Sequence, residues 1–283
     1  MGQDNILKFI YRGPSMPLIA YLKSEYLSEF SMKAIKRAID QKAVKINQKQ
    51  VMRSNELLTK EAFVTFDLSR LEKREPISIL YEDDGLLIIN KPPFITSDED
   101  EIQKQLKKKA FLCHRLDKET SGVLILAKNE MTKKNIEEQF EKQLIKKRYL
   151  AIVKSENSLM PKFSVKAPLA ILKKLEHQVV MTTAKVGMKA HTDFSINRSK
   201  GNFYLLECFP QTGKTHQIRV HLKEVKAPIL GDLVYGKLPS HSGRFLLHAE
   251  SIQFLNPGKN TLLTIKAPLP KDFLNEIQSL FPS

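Results

Sequence analysis

Apolar positions near the start of the chain recur first with helical spacing and then in short strand-like runs. Leu18, Tyr21 and Leu22 form a stripe at i, i+3 and i+4, which is typical of one face of a helix. Ser31 has the residue type of an N-cap for a second helix. The apolar stripe behind that cap consists of Ala34, Ile35, Ala38 and Ile39. Strand-like segments follow at 44–46, 50–51 and 62–66. The pattern predicts a small α/β domain over residues 15–66.

The pattern changes from residue 77 onward to a series of apolar runs with the length of β-strands. An acidic turn separates two such runs before residue 91, and the later ones lie at 123–127, 148–153, 179–182, 191–196, 202–208 and 262–266. Helical spacing occurs at 131–144 and 215–224. Residues 77–283 are therefore predicted to form an α+β domain around a large mixed, mainly antiparallel sheet. The charge-rich segment 67–76 ends in proline and is predicted to be a linker.

Composition narrows the choice of partners. The 283 residues carry a formal net charge of +15, which favours binding to polyanions through phosphate contacts and counterion release. Nucleic acid is the favoured partner, although an anionic membrane or an acidic protein stays open on charge alone. The two cysteines, Cys113 and Cys208, form no disulfide framework and suit a reducing compartment. With no apolar signal segment and no apolar run of roughly 20 residues, we expect a soluble, cytoplasmic protein without a membrane partner.

The most specific segment is the polar turn 114–122, which directly precedes the apolar run 123–127. It presents one carboxylate, Asp117, between the cations Arg115 and Lys118. A rigid strand would hold this turn in place, and the neighbouring cations would favour the ionised carboxylate. Taken alone, the pattern also fits an aspartate that caps its own turn.

Segment 114–122 resembles the catalytic motif of the RluA-type pseudouridine synthases, which isomerise uridine in ribosomal and transfer RNA. The resemblance implies that Asp117 is the catalytic nucleophile or base. It also implies that Arg115 fills the gap left by a flipped nucleotide, although a phosphate contact or a surface ion pair would equally explain Arg115. The reaction detaches uracil from the ribose and reattaches it through carbon, so it needs a carboxylate and a dry pocket but no metal or redox cofactor. The target base must also leave its stack.

Two further residues of the site are implied by the same resemblance. Segment 211–222 is similar to the family's second motif, in which Thr215 would open a helix and Arg219 would form a bidentate ion pair with Asp117. Lys214 stands where the family usually has arginine, which keeps the charge for an RNA contact but loses the planar fork. Tyr149 matches a tyrosine that packs on the uracil, and the alternative for an aromatic residue in a strand is a place in the core.

Later segments match the family in order, and the N-terminal domain has a resemblance of its own. The matches are 81–92, 231–236 and 244–249, with Pro93-Phe94 replacing the usual Ala-Gly. Residues 15–66 resemble the S-four-like RNA-binding domain named after a ribosomal protein, although Gln41-Lys42-Ala43 lacks its usual glycine. Three cations on one predicted helix face would contact RNA, namely Lys33, Lys36 and Arg37.

Two other site types fail on spacing. A phosphate-binding loop ending at residues 213–215 would need glycine at position 208, which is Cys208. His216 and His221 are five apart rather than four, and no glutamate follows His216, so they do not match a zinc-hydrolase pair.

The sequence therefore predicts a monomeric, two-domain pseudouridine synthase without cofactor or metal, acting on structured RNA. Family analogy favours large-subunit ribosomal RNA over transfer RNA. The alternative is a non-catalytic RNA-binding or ribosome-assembly protein that retains the fold. A hydrolase using Asp117 is a weaker rival, because the sequence offers no second carboxylate or metal site for it.

Overall fold

The computed structural model describes residues 6–28, 30–51, 53–71, 76–175, 178–237, 240 and 244–282. The chain divides into two compact units, Met1–Arg74 and Glu75–Ser283. Within the predicted linker 67–76, a 3₁₀ turn spans Leu68–Arg70, and residues 72–75 lie outside the described part.

The N-terminal unit packs two short helices on a four-stranded sheet with order β1-β6-β3-β4. Its elements are β1 (Ile6–Tyr11), β2 (Met16–Pro17), α1 (Leu18–Tyr21), α2 (Met32–Asp40), β3 (Val44–Ile46), β4 (Lys49–Gln50), β5 (Leu57–Leu58) and β6 (Ala62–Asp67). A single π-helical turn, Leu22–Tyr26, continues α1. Because β1 pairs along the whole of β6, this unit begins before the predicted boundary at residue 15.

The core of this unit joins both predicted apolar stripes to the sheet. Leu18, Leu22, Ile35 and Ile39 are fully buried and belong to one cluster with residues of β3 and β6. The amide of Ala34 donates to Ser31 Oγ at 3.2 Å, so Ser31 is the N-cap of α2, as its residue type predicts.

The C-terminal unit is built on a ten-stranded sheet. Eight of its strands follow the order β12-β15-β16-β11-β17-β10-β8-β7, and the other two are β18, which pairs with β17, and β9, which pairs with β10. Its strands are β7 (Ser78–Glu82), β8 (Leu86–Lys91), β9 (Phe111–Leu112), β10 (Ser121–Ala127), β11 (Lys146–Lys154), β12 (Lys162–Val165), β13 (Leu169–Leu175), β14 (Gln178–Thr183), β15 (Thr192–Lys200), β16 (Phe203–Pro210), β17 (Leu247–Leu255) and β18 (Leu262–Lys266). Its helices are α3 (Glu99–Leu106), α4 (Glu130–Glu141), α5 (Gln217–Glu224) and α6 (Lys271–Leu280). Strands β13 and β14 form a separate hairpin.

The predicted fold class, α+β with a large mixed, mainly antiparallel sheet, is confirmed. Among the strand pairs that the structure describes, β10 with β17 is the parallel one, and the others are antiparallel. The sequence pattern missed α3, α6 and β17. Strand β17 has the sequence LHAESIQFL, in which polar residues interrupt the apolar ones, so no continuous apolar run marks its central place in the sheet.

One close approach between β10 and β17 fixes the start of β10. Gly122 has φ of 115°, and a Cβ there would lie 2.1 Å from the carbonyl oxygen of Ala249. Only glycine fits this position. Ala249 also pairs with Tyr149 on β11, so one strand, β17, separates the end of turn 114–122 from Tyr149.

Candidate active site

A buried lysine, Lys91, binds the backbone of the turn that carries Asp117. Lys91 is fully buried, and its ammonium donates to the carbonyl oxygens of Pro92, Ile95 and Lys118 at 3.0, 2.9 and 3.2 Å. Three carbonyl acceptors satisfy all three donors of an ammonium group. Because Lys118 follows Asp117 directly, Lys91 fixes the backbone at the candidate catalytic residue.

Phe94 explains one departure from the family pattern. It stands where the family usually has glycine and has φ of 69°, in the left-handed region that favours glycine. Its amide donates to the carbonyl of Lys118 at 2.8 Å. Phe94 therefore adopts a backbone conformation that glycine favours, at a strain of roughly 1 kcal/mol.

Two more contacts hold the sides of the turn. Ser97 Oγ donates to the carbonyl of Leu116 at 2.9 Å and accepts from the Leu116 amide at 3.0 Å. The buried Arg244 donates from Nη1 to the carbonyl of Glu119 at 3.1 Å, while Asp272 holds its Nε and Nη2. The backbone on both sides of Asp117 is thus bonded to side chains from distant parts of the chain.

Arg219 from α5 reaches the Asp117 carboxylate. Its Nη1 donates to Asp117 Oδ2 at 3.0 Å, and the two side chains are 5% and 24% exposed. The prediction that Arg219 forms a bidentate pair with Asp117 is wrong, because the bidentate partner is Asp232. Nε and Nη2 of Arg219 bind both oxygens of Asp232, at 2.7 and 3.1 Å, and Asp232 is only 1% exposed. The Nε/Nη2 edge of the guanidinium therefore faces Asp232, and Nη1 alone bonds to Asp117.

The surroundings of Arg219 keep it charged and immobile. Burial alone would lower its pKa, but the hydrogen bonds and charge of Asp232, with those of Asp117, raise it above the ordinary arginine value. Its guanidinium carbon lies 4.8 Å from the Tyr235 ring centroid and 4.1 Å from that of Phe245. A cation packed on aromatic rings and bonded at three nitrogens holds a fixed orientation toward Asp117.

His216 lies on the second side of the carboxylate. Its Nε2 is 3.8 Å from Asp117 Oδ2, and its Nδ1 is 2.8 Å from the Tyr235 hydroxyl. His216 is the N-cap of α5 and has φ of 55°, so the helix begins at Gln217 and not at the predicted Thr215. Sequence reasoning used His216 only to reject a zinc site. The sequence signal that could have identified His216 as a site residue is its position three residues before Arg219 in the same motif.

Tyr149 is half-buried and packs on core residues at the centre of the sheet. Burial raises the pKa of its hydroxyl, and the negative charge of Asp117 raises it further. The phenol is therefore protonated at neutral pH. A register shift in the β11–β17 ladder between Arg148 and Tyr149 marks a local irregularity of the backbone at this residue.

Gln217 organises the loop before α5, and sequence reasoning did not single it out. Its buried amide donates to the carbonyl of His191 and to Thr192 Oγ1, both at 3.0 Å. Its carbonyl oxygen accepts from Thr212 Oγ1 at 2.6 Å and from the Lys214 amide at 3.0 Å. The loop that carries the exposed side chain of Lys214 is thereby tied to β15.

The remaining predicted RNA-contacting residues are dispersed. Arg115 is exposed and lines a cleft of about 620 Å³ together with the acidic residues Asp98, Glu99, Asp100 and Glu137. In the N-terminal unit, Lys36 is exposed on α2 and Arg37 is half-buried. The side chain of Lys33 lies outside the described residues.

Neither a membrane-spanning helix nor a metal site is found among the described residues. None of the described helices is long and apolar enough to cross a membrane. Within the same residues, no group of three or more His, Cys, Asp or Glu side chains is arranged to hold a metal ion.

Comparison with known proteins identifies the family of this chain. The family described as RNA pseudouridylate synthase matches residues 85–224. A ribosomal large subunit pseudouridine synthase C from Buchnera aphidicola is 35% identical over 223 residues, which cover 71% of this chain and 70% of that protein. An uncharacterized RNA pseudouridine synthase from Helicobacter pylori is 33% identical over 255 residues, 90% of this chain and 98% of that one. The solved structure of human RNA pseudouridylate synthase domain containing 4 matches with a TM-score of 0.60 and 26% identity, over 72% of this chain and 92% of its own. The chain belongs to the RluA-type family of RNA pseudouridine synthases.

Proposed function

We propose that this protein isomerises one or more uridines of large-subunit ribosomal RNA, with Asp117 as the catalytic carboxylate. The observation that carries the proposal is the contact between Asp117 Oδ2 and Arg219 Nη1 at 3.0 Å, with the carboxylate partly exposed and the guanidinium buried. A carboxylate that is bonded to a buried guanidinium and remains partly exposed suits attack on, or proton transfer with, an incoming nucleotide.

The reaction sets the tasks of the neighbouring residues. The bond from ribose C1′ to uracil N1 breaks and a bond from C1′ to C5 forms. C5 gives up its proton and N1 gains one, so the product is an isomer of the substrate. Arg219 orients the Asp117 carboxylate toward the incoming nucleotide, and the ring of Tyr149 packs on the uracil. Because the pKa of Tyr149 is raised, its hydroxyl can accept the C5 proton only after its own proton has passed to another group.

Cationic residues supply the affinity for RNA in this proposal. Arg115 inserts its guanidinium plane where the flipped nucleotide was stacked, and Lys214 contacts phosphate. On α2, Lys36 and Arg37 add a second, sequence-independent contact to the backbone of the RNA. The net charge of +15 supports this use of electrostatic attraction.

The target is proposed from the relatives. Similar proteins from Buchnera aphidicola and Borreliella burgdorferi are named ribosomal large subunit pseudouridine synthases C and D. We therefore expect the modified uridine to lie in large-subunit ribosomal RNA rather than in transfer RNA.

The test is to map pseudouridine in ribosomal and transfer RNA from three strains. One carries the gene, one lacks it, and one carries Asp117→Asn. We expect at least one large-subunit site to disappear in the second and third strains, while purified Asp117→Asn protein binds that RNA as the wild type does. Sites that persist with Asp117→Asn would remove Asp117 from its role. Full occupancy of every site without the gene would favour a non-catalytic RNA-binding protein.

A further inference from the structure

We infer that His216 is a positioning residue for Asp117, presenting a neutral Nε2–H to the carboxylate in a tautomer that Tyr235 selects. The inference rests on the proposed role of Asp117. It adds to the Arg219 contact a second, neutral donor on the other side of the same oxygen.

The tautomer follows from the hydrogen bonds of the Tyr235 hydroxyl. The amide of Met181 donates to this oxygen at 2.9 Å, and His216 Nδ1 lies 2.8 Å from it. If the hydroxyl donates to Nδ1, the phenolic hydrogen, the phenolic oxygen and Nδ1 all have partners. If Nδ1 carried the proton instead, the phenolic hydrogen would have no acceptor among the residues that the structure describes, which is costly for a buried group. Nδ1 is therefore the acceptor, and the neutral ring carries its proton on Nε2.

The proton on Nε2 points to the reactive carboxylate. Nε2 lies 3.8 Å from Asp117 Oδ2, which is longer than a hydrogen bond and within reach of a small rotation of the carboxylate. The same oxygen accepts from Arg219 Nη1, and His216 and Arg219 lie three residues apart around the first turn of α5. Catalytic hydrogen bonds are often long without substrate and shorten when it binds.

The tyrosine that sets this tautomer is itself firmly held. Tyr235 is buried in a cluster with Leu169, Met181 and Val220, which joins the β13–β14 hairpin to α5. Its amide also donates to Asp232 Oδ1 at 3.0 Å, so the residue that orients Arg219 is bonded to the residue that orients His216. The two donors to Asp117 are thus part of one connected network.

The charges around His216 are consistent with a neutral ring. Burial lowers its pKa below the ordinary histidine value, and the positive charge of Arg219 acts in the same direction. The carboxylates of Asp117 and Asp232 oppose this shift without reversing it. His216 has a left-handed backbone, which is strained for a residue other than glycine, at the position where its ring lies beside the carboxylate.

A first experiment needs no RNA. Nitrogen NMR of protein with labelled histidine reports which ring nitrogen carries the proton. We expect His216 to be protonated at Nε2 in the wild type, to populate both tautomers in Tyr235→Phe, and to change its Nε2 signal in Asp117→Asn. A wild-type signal from an Nδ1-protonated ring, or no change in either variant, would overturn the inference.

A second experiment measures chemistry separately from binding. The substrate is ribosomal RNA labelled with tritium at uracil C5, taken from cells that lack the gene, and tritium is released when C5 bonds to the ribose. With saturating enzyme, His216→Phe should slow this release by roughly 10- to 100-fold while the Kd for RNA is unchanged. His216→Gln, which restores a side-chain N–H, should recover part of the rate, and Tyr235→Phe should slow it to a smaller extent.

The control removes a tyrosine hydroxyl elsewhere. Tyr81 donates to Asp83 Oδ2 at 2.8 Å, and Tyr81→Phe should keep the wild-type rate. A His216→Phe variant with the wild-type rate, or with losses confined to Kd, would overturn the inference. If His216→Phe fails to fold, the Tyr235→Phe rate and tautomer decide the question. If the wild type releases no tritium, the proposed function fails on this RNA, and the NMR result still decides whether His216 presents Nε2–H.

Discussion

Arg219 and Asp232 share two hydrogen bonds, at 2.7 and 3.1 Å, while Arg219 gives Asp117 a single one at 3.0 Å. Asp232 is closed off at 1% exposure, and its Oδ1 also accepts from the amides of Val234 and Tyr235. One carboxylate is therefore fully satisfied and the other is left with capacity for substrate. This asymmetry separates an orienting aspartate from a reactive one.

Asp232→Asn should lower both stability and turnover. The change leaves Arg219 with one acceptor oxygen at residue 232 in place of two and removes the negative charge there. Breaking a buried ion pair costs roughly 3–5 kcal/mol in unfolding free energy. Urea unfolding at pH 7 and tritium release from RNA measure the two effects. In the control Glu207→Gln, the pair between Arg148 and Glu207 is half-exposed, so the loss should stay below about 1 kcal/mol. Equal losses in the two variants would contradict the orienting role of Asp232.

Arg219→Lys should reduce turnover much more than RNA binding. Lysine keeps the charge but cannot bond to Asp232 through two parallel donors while reaching Asp117. We expect the rate at saturating enzyme to fall by roughly 100-fold or more, because orientation of the carboxylate is lost. Filter binding with the same RNA gives the Kd. A variant that loses affinity and rate by the same factor would show that Arg219 merely contacts phosphate.

Tyr149→Phe tests whether the hydroxyl takes part in the reaction. Phenylalanine keeps the ring that packs on uracil and removes the group whose pKa is raised by burial and by Asp117. If this oxygen handles the C5 proton, the rate should fall by roughly 100-fold with unchanged Kd. Tyr204→Phe, on the neighbouring strand β16 and opposite Val153, is the matched control. A wild-type rate in Tyr149→Phe would limit this residue to packing.

Lys36→Gln should weaken RNA binding by removing one phosphate contact of the N-terminal unit. The slope of log K against log salt concentration should decrease by about 1, with little change in the rate at saturating enzyme. Lys45→Gln makes the same charge change at an exposed position on strand β3 of the same unit. Identical salt slopes for Lys36→Gln and Lys45→Gln would show that the face of α2 has no special contact with RNA.

His114 should make the protein less stable in mild acid. Burial lowers the pKa of His114 to about 3, with the charge of Lys147 adding to the effect, and its Nε2 accepts from the Ile125 amide at 3.0 Å. Between about pH 6.5 and 3 the unfolded chain binds more protons at this site than the folded one, so the unfolding free energy falls as the pH falls.

The expected loss at His114 is roughly 2 kcal/mol between pH 7 and pH 5. Urea unfolding at the two pH values measures it. His114→Gln removes the titrating group and keeps an acceptor for Ile125, so its loss should be smaller by about that amount. His248, whose burial lowers its pKa to about 4, would still contribute in the same pH range. Equal losses in the variant and the wild type would contradict this account.

Local patterns were sufficient where the physical cause is local. The helix cap at Ser31 follows from the chemistry of a few neighbouring residues, and the structure confirms it. Long apolar runs such as β8 and β10 are buried on both faces, so they appear directly as strands in the sequence. The polar residues within β17 hide its central position, because its burial depends on neighbours far away in the chain.

The sequence by itself determined the family, the α+β class and the segments that carry Asp117, Tyr149 and Arg219. Only the tertiary structure decided how these groups share hydrogen bonds. Asp117 and Arg219 are 102 residues apart in the chain. Which carboxylate becomes the bidentate partner of Arg219 depends on their positions in the folded protein, which the spacing of residues in the sequence does not specify. Hydrogen bonds to a guanidinium are directional and limited in number, so each donor is assigned only when the backbone has brought all its acceptors together.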